Sequence, residues 1–192
     1  MEFIEYVTEY FTDAFSTPMR TVSQIIGFIS ALLGLITFST TDRKKTLAVK
    51  LTSDIMWTAS FLFGGAWSGA LANGVNSVRD GVFYFKKPSW RGAWYIPAGF
   101  IAFYAMSGIL TWNGEIGIIG ILPIVAAFFA VIGLWSSNSL YTKILYIPAS
   151  VLWIIYALNV YNIMAIVSNI FNLVSITVGL IRTFTKADAK EK

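Results

Sequence analysis

Trp57, Asn73 and Asn76 recur as Trp153, Asn169 and Asn172, each ninety-six residues further on, with no gap needed to align them. An asparagine amide offers two donors and two acceptor lone pairs, enough to match the hydroxyls or amides of a solute. An indole presents a flat apolar face on which a sugar or base ring can stack. Set in apolar sequence, where amides are uncommon, these six residues point to recognition of a small, neutral, polar solute. Each alone also has a packing role open to it. A lone Asn in a membrane helix commonly bonds a neighbouring helix, and a tryptophan there fills core. Duplication at one spacing in both halves favours a binding site.

Three charges lie near the first copy: Asp54, Arg79 and Asp80. Unpaired in an apolar segment, each would be costly. A rise of about 1.5 Å per residue puts Asp54 and Arg79 at similar depth on adjacent helices, so the two are expected to pair. Asp80 is seven residues from Asn73, hence on the same helix face, and is expected to line the same cavity. The second copy has Ser150, Ser175 and Ile176 at these positions, so the cluster belongs to one half only. A static structural pair, a cytoplasmic gate and a proton-coupling site are its three readings. The chain has no His and no Cys, which removes imidazole bases, thiol nucleophiles, disulfides and the usual transition-metal ligands. Two aspartates beside an arginine are unsuited to the shared-proton chemistry of paired protease carboxylates. No catalytic residue, metal site or cofactor is expected, and the protein is not expected to be an enzyme.

Helices in a bilayer must position these groups. Of 192 residues, 56% are hydrophobic and 12% charged, with mean hydropathy +0.68, a composition that belongs to membrane proteins. Seven apolar segments, near 21–39, 46–64, 66–85, 93–112, 116–135, 142–159 and 161–182, each approach the ~20 residues a span requires. Residues 1–18 intersperse four acids with Phe3, Ile4, Val7, Tyr10, Phe11 and Phe15 at helical spacing. That pattern predicts an amphipathic helix on the membrane surface rather than a signal peptide.

Twelve basic residues fall in the first, third and fifth loops and the tail, against Arg20 alone on the other side. This places the N-terminus outside and the C-terminus in the cytoplasm. Charges confined to short loops make no soluble basic face, so nucleic acid is not an expected partner. The expected partners are the lipid bilayer and a small-molecule solute, with assembly into a homo-oligomer left open.

The fold class that follows is an all-α membrane protein of seven transmembrane helices. Residues 20–86 form one three-helix repeat, 92–112 a spacer helix, 116–182 the second repeat and 183–192 a cytoplasmic tail. A single spacer between two odd-numbered units gives both the same orientation, related by an axis along the membrane normal. At helical rise Trp57 lies about 16 Å, and Asn73 about 19 Å, from the cytoplasmic ends of their helices, near the midplane. The repeated residues would then meet around one central cavity. Pro123 and Pro148 fall inside the fifth and sixth segments, where a kink is expected, and Pro97 early in the fourth.

A three-helix unit with Trp in its second helix and Asn in its third, repeated around a spacer, resembles the SWEET and SemiSWEET sugar transporters. The resemblance implies that Trp57, Trp153, Asn73 and Asn169 line a sugar site, with Asn76 and Asn172 one turn deeper. The Asn-rich segments LANGVNSVRD and IVSNIFNLVSITVGLIR, each with an arginine near its end, are more similar to bacterial YgjV-type inner membrane proteins. PnuC-type vitamin transporters share the 3+1+3 plan, which keeps nucleosides and vitamins in view beside sugars. The Pro-Gln pair of many such relatives is absent from both repeats. The expected function is an uncoupled facilitator working by alternating access between the repeats. The alternative from another class is a scaffold or sensor subunit, with a packed interior and amides bonded to one another.

Overall fold

The computed structural model describes residues 2–39, 43–90, 92–111, 117–136 and 139–188, all of them helix, short connection or turn. In chain order the α-helices are α1 (Glu2–Ala14), α2 (Pro18–Ser39), α3 (Arg43–Phe63), α4 (Trp67–Tyr84), α5 (Tyr95–Thr111), α6 (Leu122–Trp135), α7 (Ser139–Asn159) and α8 (Ile163–Asp188). A 3-10 turn, Gly117–Ile121, leads into α6. Pro123 stands in the first turn of α6, where its missing N–H costs nothing. It therefore marks the change from 3-10 to α rather than a kink within a helix. Pro148 does lie inside α7, and Pro97 is the third residue of α5.

Helix α2 packs along α3 and α3 along α4; α6 packs along α7 and α7 along α8. Helix α5 lies against α4 and α6. Between the two groups, α2 meets α8 and α4 meets α6.

Small residues bring α2 and α3 together. Ser23 Oγ donates to the Ser60 carbonyl at 2.7 Å, and Ser60 Oγ returns a bond to the Ser23 carbonyl at 2.8 Å. Two turns on, Ser30 and Ser53 repeat the exchange at 2.8 and 3.1 Å. Gly27 lies between these pairs, where a Cβ would stand 3.2 Å from the Trp57 ring and 3.0 Å from Met164. With no hydrophobic force to press helices together in lipid, close approach and interhelical hydrogen bonds hold them.

The distribution of polarity is inverted relative to a soluble protein. Buried side chains include Ser23, Gln24, Ser30, Asp54, Asn73, Asn76, Arg79 and Asp80. Large apolar side chains face outward on every long helix, among them Phe28, Ile55, Val78, Ile109, Ile155 and Val174. An apolar exterior of that extent needs lipid to cover it. By length and composition, four stretches of the described residues suffice to cross a membrane: Pro18–Leu35, Gly117–Trp135, Leu140–Asn159 and Ile163–Ile181. Seven such stretches were expected. Helix α5 is apolar but only 17 residues long, while α3 and α4 carry charges and many small polar residues.

Helix boundaries echo the ninety-six-residue offset. Helix α3 runs 43–63 and α7 runs 139–159, while α4 begins at 67 and α8 at 163. The turn between each pair is also shared. Gly65 and Tyr161 both have positive φ, +75° and +54°. The Ala66 N–H donates to the Phe61 carbonyl at 2.9 Å, and the Asn162 N–H to the equivalent Ala157 carbonyl at 3.0 Å. This six-residue closure around a left-handed residue is a Schellman end to the preceding helix.

Helix α1 lies apart from this packing, with Phe3, Ile4, Tyr6 and Phe11 exposed along it and Phe15 exposed just after it. Tyr10 fastens it to the α7–α8 turn. Its ring meets that of Tyr161 at 5.1 Å, and its hydroxyl donates to the Ala157 carbonyl at 3.2 Å. Burial pushes the Tyr10 phenol well above its ordinary pKa, so it remains a donor at neutral pH.

Candidate functional site

A cavity of about 240 Å³ lies between the two helix groups. Trp57, Asn73 and Asn76 line it from α3 and α4; Trp153, Asn169 and Asn172 line it from α7 and α8. Asn73 and Asn169 are held alike. Each amide nitrogen donates to the carbonyl one turn back, Gly69 and Ala165 respectively, at 2.9 Å. The tryptophans belong to an aromatic layer in which Phe61 approaches Trp57 at 6.0 Å, Trp153 at 5.7 Å and Tyr156 at 5.8 Å. The Tyr156 hydroxyl in turn accepts from the Gly69 N–H at 2.9 Å and from the Ser68 hydroxyl at 3.1 Å, pinning α7 to the start of α4.

On the α3–α4 wall the charges form a closed network. Lys50 donates to Asp54 at 2.7 Å and stands 2.9 Å from Asp80 Oδ2, at an angle that makes the second a charge contact rather than a hydrogen bond. Arg79 grips Asp80 Oδ1 through Nε and Nη2, both at 2.8 Å. The expected Asp54–Arg79 pair exists only as a long contact of 3.9 Å, because each has a closer partner. Arg79 also donates to Asn76 Oδ1 at 2.8 Å, and the Tyr104 hydroxyl of α5 donates to the same oxygen. Asp54 and Arg79 reach the cavity surface; Asp80 does not. It is fully buried behind them, so the expectation that it lines the cavity is corrected. Sharing a face with Asn73 is not enough, because two cations draw its carboxylate inward.

Two cations and two carboxylates cancel, which is how charge is tolerated in so buried a place. The hydrogen bonds and ion pairs of the network join α3, α4 and α5, and none crosses to α6, α7 or α8 among the described residues. Neither Lys50 nor Tyr104 stands out in the sequence. Lys50 follows a basic loop and reads as part of it, and Tyr104 is one aromatic among many.

The α7–α8 wall is different. Tyr146, Ser150, Ser168 and Asn172 line the cavity there, and their side chains make no hydrogen bond to described residues. A family model described as a bacterial inner membrane protein, Imp-YgjV, matches residues 21–187. The chain belongs to the Imp-YgjV family. No curated protein and no solved structure matches it. Family membership and the apolar helices make it an integral protein of the bacterial inner membrane. Within this YgjV-family chain the match takes in α3, α4, α7 and most of α8, and so every cavity residue named above; α1 precedes it.

Proposed function

We propose that this YgjV-family protein is a transporter, a facilitator that moves a small polar solute by alternating access between two parallel three-helix repeats. The observation that carries the reading is the asymmetry of the cavity. The polar groups of the α3–α4 wall are engaged in their own charge network, while on the other wall Tyr146, Ser150, Ser168 and Asn172 make no side-chain hydrogen bond to described residues. Buried polar groups are nearly always paired, and those left open are suited to a ligand. The repeated tryptophans supply stacking faces for a ring such as a sugar, and Asn169 and Asn172 supply the hydrogen bonds.

In this reading all seven helices from α2 to α8 cross the bilayer, with the N-terminus outside. Helices α3 and α4 tolerate their charges because Lys50, Asp54, Arg79 and Asp80 neutralise one another. The shared boundaries and the exchange of partners, α2 with α8 and α6 with α4, support a two-fold relation between repeats. The charge network is assigned a static role, since a gate between halves would need a bond across them. A scaffold or sensor role asks instead for a packed interior with its amides bonded to one another. Asn76 meets that description by donating to Asn73 Oδ1 at 3.5 Å, but Asn172 makes no such bond among the described residues. Uptake of labelled sugars, nucleosides and vitamins into proteoliposomes tests the proposal. Transport of a solute that is lost in Asn169→Ala and Asn172→Ala supports it; no uptake of any panel member opposes it.

A further inference from the structure

The cavity also holds a cation on its α7–α8 side. Lys143 lines the cavity from α7, and its ammonium makes a single long contact, 3.4 Å to the Gly179 carbonyl of α8. It pairs with no carboxylate among the described residues, unlike Lys50 and Arg79.

The ninety-six-residue register shows what has been exchanged. The equivalents of Lys143 and Gly179 are Leu47 and Phe83, both buried in one hydrophobic cluster of the α3–α4 side. The second half has replaced two packed apolar side chains with a cation and a glycine. The glycine makes the room: a Cβ at Gly179 would stand 3.2 Å from Lys143 Nζ and 3.4 Å from its Cε. The lysine end is thereby seated against the α8 backbone at the cavity wall. Lys143, Tyr146, Ser150 and Trp153 follow at i, i+3, i+7 and i+10, so a cation, a phenol, a hydroxyl and an indole share one face of α7.

We infer that the solute carries a negative charge, held by Lys143, while its polar body meets Ser150, Asn172 and Trp153. An ammonium at the cavity wall, beside a charge network that sums to zero, leaves a positive field favouring anions. This inference rests on the cavity being a solute site, as proposed above.

The test is quenching of Trp153 fluorescence in full-length protein in phosphatidylcholine nanodiscs, taken as the difference from the Trp153→Phe variant. Iodide is the anionic probe and acrylamide the neutral one. Iodide quenching is expected to fall about three- to tenfold in Lys143→Gln and to be retained in Lys143→Arg. Acrylamide quenching is expected to be equal in all three proteins. Iodide quenching unchanged in Lys143→Gln, with acrylamide still reaching Trp153, overturns the anion inference and leaves the transport reading standing. Failure of both probes to reach Trp153 overturns the solute cavity itself.

Discussion

Gly65 and Tyr161 occupy the same place in the two helix turns, and both have positive φ, yet only one is a glycine. A bulky residue held left-handed costs about 1–2 kcal/mol. The tyrosine is retained there by its surroundings: the Tyr10 ring, the Arg20 guanidinium 5.5 Å from its ring centroid, and Gln24, which donates to its carbonyl at 2.8 Å.

Tyr161→Ala keeps the unfavourable backbone and loses the ring, whereas Tyr161→Gly loses the ring and relieves the backbone. The glycine variant is therefore expected to be more stable than the alanine variant by about 1 kcal/mol. Both should release α1 to limited proteolysis. Thermal unfolding of the detergent-solubilised variants measures the first, and cleavage near Tyr10 the second.

Arg79→Leu leaves Lys50 facing two carboxylates and is expected to cost about 3–5 kcal/mol. Arg79→Leu with Asp80→Leu leaves the Lys50–Asp54 pair balanced. The double variant should unfold at a higher temperature than the single one. Additive losses would show that the four charges do not act as a unit.

Asn76 and Asn172 are equivalent in the register but not in circumstance. Asn76→Ala removes an acceptor shared by Arg79 and Tyr104, and is expected to lower stability by about 1–3 kcal/mol. Asn172→Ala breaks no bond among the described residues, so it should change solute transport while leaving the melting temperature nearly unaltered. Comparing melting curves with proteoliposome uptake separates the two.

The absence of cysteine makes topology directly measurable. Thr8→Cys, exposed on α1, should react with a membrane-impermeant maleimide applied to spheroplasts. Lys87→Cys, exposed beyond α4, should react only after the membrane is opened. The reverse pattern would invert the proposed orientation and set aside the basic-loop argument.

The tryptophan and asparagine repeat was legible because type and spacing survive in both halves even where most other residues have diverged. The helices themselves were legible as apolar runs, but seven spans were expected and four stretches of the described residues are long and apolar enough to cross a membrane. The charge network was only half visible. Asp54, Arg79 and Asp80 stand out as charges in apolar sequence, but which carboxylate a guanidinium prefers depends on side-chain reach across α3 and α4. Lys50 and Lys143 were hidden by their position, each within two turns of a helix start where a lysine reads as a loop charge. The pairing of Leu47 with Phe83 against Lys143 with Gly179 becomes informative only once α4 and α8 are known to pack beside α3 and α7.

The layer formed by Phe61, Trp57 and Trp153 brings the two halves together ring against ring, beside the neutral hydrogen bonds of Tyr156 to Ser68 and Gly69. A seam of that kind has no ion pair to be screened by salt and no proton to be titrated. Its parting is a wetting event, opposed by the cost of exposing ring surface to water, and that cost grows on warming from low temperature. A pathway shut this way would leak more readily in the cold and in variants with smaller rings, while brine and acid would leave it closed.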